Sequence, residues 1–180
     1  MLFQSGTQSN ALSKTSTKGE EPTVAEFRDF VIAAIQAIAG FKDGEGEPIN
    51  EEASGFLVMV PIGLWPIALK AINQAFIVES SSLVDNILKG AFGIRLIVNP
   101  RLDAHTYWYQ DGYSRFVVFR TDGAMKPFIR LEEGGLEVNA LAEGSEYAFW
   151  NNKFVYGANA SRGVGYGYWQ DACLVSIADA

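Results

Sequence analysis

Asp103 and His105 stand two residues apart, and His105 is the single histidine of the chain. They have the types of a general base and the carboxylate that orients it, which a serine nucleophile elsewhere would complete. Nothing around the serines resembles a nucleophile elbow, and the pair sits beside a predicted strand start, so a structural role accounts for it better. One histidine also excludes a multi-histidine metal site. The run Gly163-Val164-Gly165-Tyr166-Gly167 invites comparison with a phosphate cradle, which needs a strand before it, a helix after it and usually a Lys-Ser/Thr pair. Here Tyr168-Trp169 follow and the surroundings have strand character, where glycine marks bulges or close backbone approach. Glu132, Glu133, Glu137, Glu143 and Glu146 offer carboxylates for acid/base work on a glycoside, which requires two at a defined separation. Their interleaving with glycine points instead to a solvated loop. Tyr107, Trp108, Tyr109, Trp150, Tyr166, Tyr168 and Trp169 suit a sugar-binding platform or a buried contact between subunits, and composition does not separate the two.

Elements must position these residues. Residues 4 to 21 are rich in Ser, Thr, Gln, Lys and Glu and predict loop or mobile tail. A helix is predicted over Val24 to Ala39, with Thr23 as N-cap, Glu26 completing a capping box and Gly40 as the C′ stop. Val24, Phe27, Val31, Ile35 and Ile38 give it one apolar stripe. Lys42 to Gly46 is a turn-rich, exposed connection. Phe56 to Val60 is apolar throughout and predicts a strand buried on both faces. A second helix is predicted from Leu64 to about Phe76, with Pro66 in its first turn and Leu64, Ala68, Ala71, Ile72 and Ala75 facing inward. Ile94 to Val98 follows as a strand, and a short sheet sandwiched by two helices is the economical packing. Beyond Pro100, strands are predicted over Thr106 to Gln110, Arg115 to Arg120, Pro127 to Glu132, Phe149 to Arg162 and Tyr166 to Ile177. Turns are predicted at Asp111-Gly112, Asp122-Gly123 and Glu133-Gly134-Gly135.

The chain has 180 residues, 48% hydrophobic and 19% charged, a globular composition able to bury roughly 70% of its unfolded surface. The net charge of −7 repels phosphate and argues against direct groove binding of nucleic acid. A single cysteine, Cys173, rules out an internal disulfide and fits a reducing compartment. The longest mainly apolar run, Phe56 to Leu69, carries two prolines and is too short for a span of about 20 residues. No signal-peptide pattern opens the chain. These features predict a soluble protein that is cytosolic when made.

Tyr156-Gly157-Ala158-Asn159-Ala160-Ser161-Arg162, followed by Gly165-Tyr166-Gly167-Tyr168-Trp169-Gln170-Asp171-Ala172, resembles the "YG…AR…GYG-WQ-A" ending of the Mu-like prophage major head subunit family. Phe41-Lys42-Asp43 to Gly46-Glu47-Pro48-Ile49 and Leu57-Val58-Met59-Val60-Pro61 match the family's "kD..G.pl…LvVP" segment. Leu96 to Leu102, Trp108-Tyr109 and Lys126-Pro127-Phe128-Ile129 follow in family order, and Leu2-Phe3 with Asn10 resemble its "LF…H.N" stretch. Gln8 stands where the family usually has His. Asn159 and Ala160 occupy positions where its Arg is common, with Arg162 two positions later.

The resemblance implies an α+β, Hong Kong 97-type capsid fold: an axial domain, a small sheet flanked by two helices, plus C-terminal strands of the peripheral domain. It assigns a flexible N-terminal segment to residues 1–21, an axial α/β core to 22–100, and the β-rich remainder of axial and peripheral domains to 101–180. Family members are longer, with an arm, an extended loop and a spine helix upstream, which makes this chain their C-terminal portion. The implied function is that of a major capsid subunit that self-assembles into an icosahedral shell around phage DNA. Its partners would be copies of itself in hexamers and pentamers, with portal, scaffold or decoration proteins, and no membrane or sequence-specific DNA contact. Its place would be the virion, after synthesis in the bacterial host cytoplasm. Tyr156, Gly157, Arg162, Gly167, Trp169 and Gln170 are the motif positions expected at assembly contacts; no catalytic residue, cofactor or metal ligand is implied. An encapsulin-like shell protein and a β-rich carbohydrate-binding module are the rivals.

Overall fold

The computed structural model describes residues 9–18, 21–79, 82–102 and 114–179. The chain divides into two compact units, Met1–Pro127 with Tyr166–Ala180, and Phe128–Gly165.

The larger unit is built on a five-stranded sheet of β1 (Ala11–Ser16), β2 (Gly55–Val60), β5 (Gly93–Val98), β6 (Ser114–Arg120) and β9 (Ala172–Asp179). Their spatial order is β1-β9-β6-β2-β5. The outer pairs β1–β9 and β2–β5 run parallel, and β6 is antiparallel to both β9 and β2. Register fixes the core. Val58 pairs with Val118, and Val118 with Cys173, so Phe56, Val58, Val60, Phe116, Val118, Cys173, Val175 and Ile177 share one face. They form a single cluster with Phe27, Val31, Ala34 and Ile38 of helix α1 (Val24–Ala39) and Ala68, Ala71 and Ile72 of helix α2 (Trp65–Asn73). Phe27 and Phe116 meet at 4.8 Å between ring centres. The other face carries a separate small cluster of Val117, Phe119, Ala172 and Leu174, with Leu57 and Met59 partly buried against it. Both helices therefore cover the same face, a two-layer packing rather than the predicted sandwich. For the same reason β2 is fully buried only at alternate positions, not on both faces.

Helix α1 forms over the predicted residues. The Thr23 side chain accepts from the Glu26 N–H, and the Glu26 carboxylate accepts from the Thr23 N–H at 2.8 Å. Gly40 ends the helix as its C-cap in a right-handed conformation. A Cβ there would stand 3.2 Å from the Gln36 carbonyl oxygen, a tight contact that glycine avoids. Pro66 lies in the first turn of α2, as predicted, but this helix ends at Asn73. Ala75 lies beyond it and is exposed. Next come the hairpin β3 (Phe76–Glu79) and β4 (Ser82–Asp85), then α3 (Leu88–Ala91), a single irregular turn broken at Lys89 and Gly90.

Residues 11–16 are not loop. They form edge strand β1, because Asn10 is fully buried and its Nδ2 donates to the Trp169 and Ala172 carbonyls at 3.0 and 3.1 Å. This buried donor, satisfied across the fold, seats the strand beside β9. Asn50 likewise joins the Ile38 and Gln170 carbonyls at 2.8 and 3.0 Å, and Asn86 those of Ala71 and Gln74 at 2.7 and 2.8 Å. Three buried asparagines thus each bridge two segments.

The smaller unit is a ribbon of β7 (Phe128–Leu141) and β8 (Val155–Tyr166), with the short helix α4 (Glu146–Asn151) between them. Glu133-Gly134-Gly135 continues β7 instead of turning. Phe149 belongs to α4 rather than to a strand: Ser145 caps the helix and Asn152, at φ 49°, terminates it. The predicted strand over Tyr166 to Ile177 is shortened to β9, because Trp169–Asp171 form a 3-10 turn before it. Arg115 to Arg120 lies in β6 as expected, whereas Thr106 to Gln110 and Asp111-Gly112 lie outside the described residues.

Candidate functional site

Ribbon chemistry follows from strand alternation. Arg162 Nε pairs with Glu132 Oε1 at 3.0 Å, and Ser161 Oγ donates to Glu133 Oε2 at 3.1 Å. Leu131 Cβ lies nearest to Gly163. Along β8 these partners descend as β7 ascends, so the two strands are antiparallel. The same contacts join the even-numbered positions of both strands on one face and the odd-numbered on the other. The even face presents Leu136, Val138, Tyr156 and Val164, 64–78% exposed, with Ala158 and Ala160 between them and the charged group Arg130, Glu132 and Arg162. On the odd face Glu133, Glu137, Asn139, Asn159 and Ser161 are interspersed with the exposed Leu131, Leu141 and Val155. The even face is the more apolar of the two and is open, and no residue of β7 or β8 is buried. A two-stranded ribbon is marginal in water alone, and an open apolar strip of this kind marks a surface that is covered in use.

At its tip, α4 exposes Phe149 and Trp150, 82% and 74% accessible and packed edge to face at 5.6 Å. A hollow of about 630 Å³ there is lined by Glu143, Glu146, Phe149 and Phe154 among others. This tip escaped the sequence reading, although Ser145 followed by Glu146 and the Asn151-Asn152 break were available to mark a short capped helix.

The motif residues are shared between the two units. Tyr156 and Arg162 lie on the even face of the ribbon and Gly157 on the odd face. Gly167, Trp169 and Gln170 belong to the larger unit, where they tie the segment before β9 to its neighbours. Gly167 N–H donates to the Pro127 carbonyl at 2.9 Å, Trp169 packs edge-on against Phe41 at 5.1 Å, and the Gln170 carbonyl accepts from Asn50.

Asp103, His105, Tyr107, Trp108 and Tyr109 lie outside the described residues. The glycine run forms the end of β8 and the chain leaving it, not a strand-to-helix cradle. Glu132 and Glu133 point to opposite faces of one strand. Among the described residues no three His, Cys, Asp or Glu side chains are grouped to hold a metal, and no helix is long and apolar enough to cross a membrane. Burial pushes the Cys173 thiol up to about 12, so it stays protonated and unreactive at neutral pH.

Residues 106–177 match the family model of the Mu-like prophage major head subunit gpT. The resemblance carried by the C-terminal motif holds over this span. Among solved structures, the mature capsid of bacteriophage PhiM1 matches at TM-score 0.53 and 13% identity, over 93% of this chain and 51% of that one. The capsid of cyanophage P-SCSP1u matches at TM-score 0.52 and 11% identity, over 94% and 53%. A virus-like particle from Pyrococcus furiosus gives a TM-score of 0.49 at 12% identity, over 90% and 54%. The fold is that of the Hong Kong 97-type phage capsids. This chain spans about half the length of those capsid chains. Curated protein sequences show no match to it.

Proposed function

We propose that the chain is part of a phage major head subunit and acts by assembling with copies of itself into the shell around the phage genome. The observation that carries this is the gpT match over residues 106–177, on a chain whose fold is a capsid fold. The ribbon supports it physically, since its open apolar face needs a cover that assembly supplies. In this proposal the layered unit serves in the axial domain and the ribbon in the peripheral domain. Tyr156 and Arg162 make assembly contacts, and Gly167, Trp169 and Gln170 hold the segment before β9 in place. Copies meet around five- and six-fold positions through heterologous contacts, and portal, scaffold or decoration proteins join the same shell. The protein is made in the host cytoplasm and resides in the virion. Its net charge of −7 suits a wall that encloses DNA without gripping it. Its work is geometric and needs no catalytic residue or cofactor. Electron microscopy of the protein at its full encoded length tests this directly: shells or six-membered rings are expected, and monomers that persist at high concentration would overturn it.

A further inference from the structure

A cleft of about 420 Å³ lies in the larger unit, lined by Asp43, Pro48, Ile49, Tyr168, Gln170 and Asp171. Its walls fall into two kinds. Pro48, Ile49 and the Tyr168 ring are apolar, and Ile49 and Tyr168 are 43% and 56% exposed. Asp43 and Asp171 bring carboxylates, which accept only, whereas Gln170 and the Tyr168 hydroxyl both donate and accept. Asp43 turns one carboxylate oxygen to the Glu45 and Glu47 N–H groups at 2.8 and 2.9 Å, which fixes the loop that forms one side of the cleft.

Two further observations point to a missing partner. Asp171 is only 6% exposed, yet among the described residues no hydrogen bond reaches its carboxylate. The Gln170 Oε1 atom is buried and likewise without a hydrogen-bond partner there. Buried polar atoms are nearly always satisfied, and a buried carboxylate without donors is costly. Burial raises the Asp171 pKa; the field of Asp122 adds to this, while Arg120 and Lys126 oppose it. Those two cations have other partners. Arg120 donates to Asp122 and Asn50 at 2.7 Å each, and Lys126 to the Gly123 carbonyl at 2.9 Å.

We propose that this cleft receives an arginine or lysine side chain presented by another protein chain. Its aliphatic stem lies along Pro48 and Ile49, its charged head stands over the Tyr168 ring, and its N–H donors reach Asp171. A cation over an aromatic face and a charge-assisted hydrogen bond to a desolvated carboxylate reinforce one another. The site would be a socket in the sense that the larger unit supplies all of its acceptors, and it does not depend on the shell proposal.

Titration of the isotopically labelled protein with N-acetyl-arginine-methylamide, followed by NMR, tests the socket. Saturable shifts confined to residues 43–49 and 168–171 are expected, with none from the uncharged citrulline analogue. Loss of a hydrogen bond to a charged group predicts binding weaker by about tenfold or more in Asp171→Asn. Tyr168→Ala, a change at an exposed side chain, should weaken it several-fold without affecting folding, which keeps the test valid if the Asp171 variant misfolds. Equal binding of arginine and citrulline probes, or full affinity in Tyr168→Ala and Asp171→Asn, would overturn the proposal. So would spermidine binding more tightly than the arginine probe, since the site would then serve a free polyamine. Competition for shell formation by the probe is not needed for any of these outcomes, so failure of the socket and failure of shell assembly are read separately.

Discussion

Glu26 accepts hydrogen bonds from residues of two different segments. Its carboxylate takes the Thr23 N–H and hydroxyl at 2.8 and 3.0 Å, and the Thr17 N–H and hydroxyl at 3.1 and 2.8 Å. It therefore caps α1 and holds the end of β1 to it. Burial alone would raise its pKa, but the bonds from Thr23 and Thr17 outweigh that and lower it from 4.5 to about 2. A carboxylate with a depressed folded-state pKa contributes stability that is present above its unfolded value and lost as pH falls. The loss should therefore run from pH 4.5 down to about 2. Glu26→Ala is expected to cost about 1 kcal/mol at neutral pH, and less near pH 2, as measured by urea unfolding across that range. Asp122 is held below the ordinary carboxylate range in a similar way: burial opposes the shift, and the Ser54 N–H at 2.7 Å, Arg120 and the Ser54 hydroxyl outweigh it. Asp122→Asn removes the charge from a triply bonded but solvent-accessible group, so a loss of about 1 kcal/mol is expected at neutral pH. The variant should also show a flatter acid limb. Asp171 has the opposite sign. Its raised pKa means that ionisation destabilises the fold as pH rises, so Asp171→Asn should leave thermal stability at pH 7 unchanged or higher. A clear drop in melting temperature would show that its carboxylate is structural.

At the scale of elements, what was legible in the sequence was local. Helix α1 could be bounded because Thr23, Glu26 and the apolar stripe are all encoded within seventeen residues. The Asp43 turn and the Pro66 helix start were legible for the same reason. Strand β1 was not, because nothing within Ala11–Ser16 demands a strand; its pairing partner is about 160 residues downstream, and the decisive contact is the buried Asn10 amide. The unbroken apolar run of β2 likewise concealed that only alternate side chains meet the helices. Phe149 and Trp150 read as strand residues by composition but lie in a helix set by Ser145 and Asn152. In the site, family motifs picked out Tyr156 and Arg162 without distinguishing the strand face that presents them from the turn that Trp169 and Gln170 stabilise. The core itself is ordinary: Phe116→Ala, fully buried against Phe27, should destabilise by about 3–5 kcal/mol, enough to be visible as a large shift in the urea midpoint.

At the scale of the whole molecule, exposed and buried apolar residues should separate cleanly in experiment. Val138 is 66% exposed and Leu136 64%, so Val138→Lys or Leu136→Glu should alter the unfolding free energy of the chain by no more than about 0.5 kcal/mol. The same changes should abolish shells or rings in micrographs of the full-length protein. Variants that still assemble would remove the ribbon's even face from the assembly surface.

The sheet order β1-β9-β6-β2-β5 has a consequence in time as well as in space. A ribosome delivers β1, β2 and β5 first, yet in the finished sheet β9 and β6 separate β1 from β2. Until the last strand emerges, β1 has no neighbour and the face that receives α1 lacks Cys173, Val175 and Ile177. Long-range pairings of this kind slow folding, and synthesis at about 5–20 residues per second sets the interval during which the earlier strands must wait. Completion of the larger unit is thereby tied to the emergence of β9. A nascent chain stalled before Ala172 should remain protease-sensitive throughout β1 and α1, whereas one extended past β9 should protect both together.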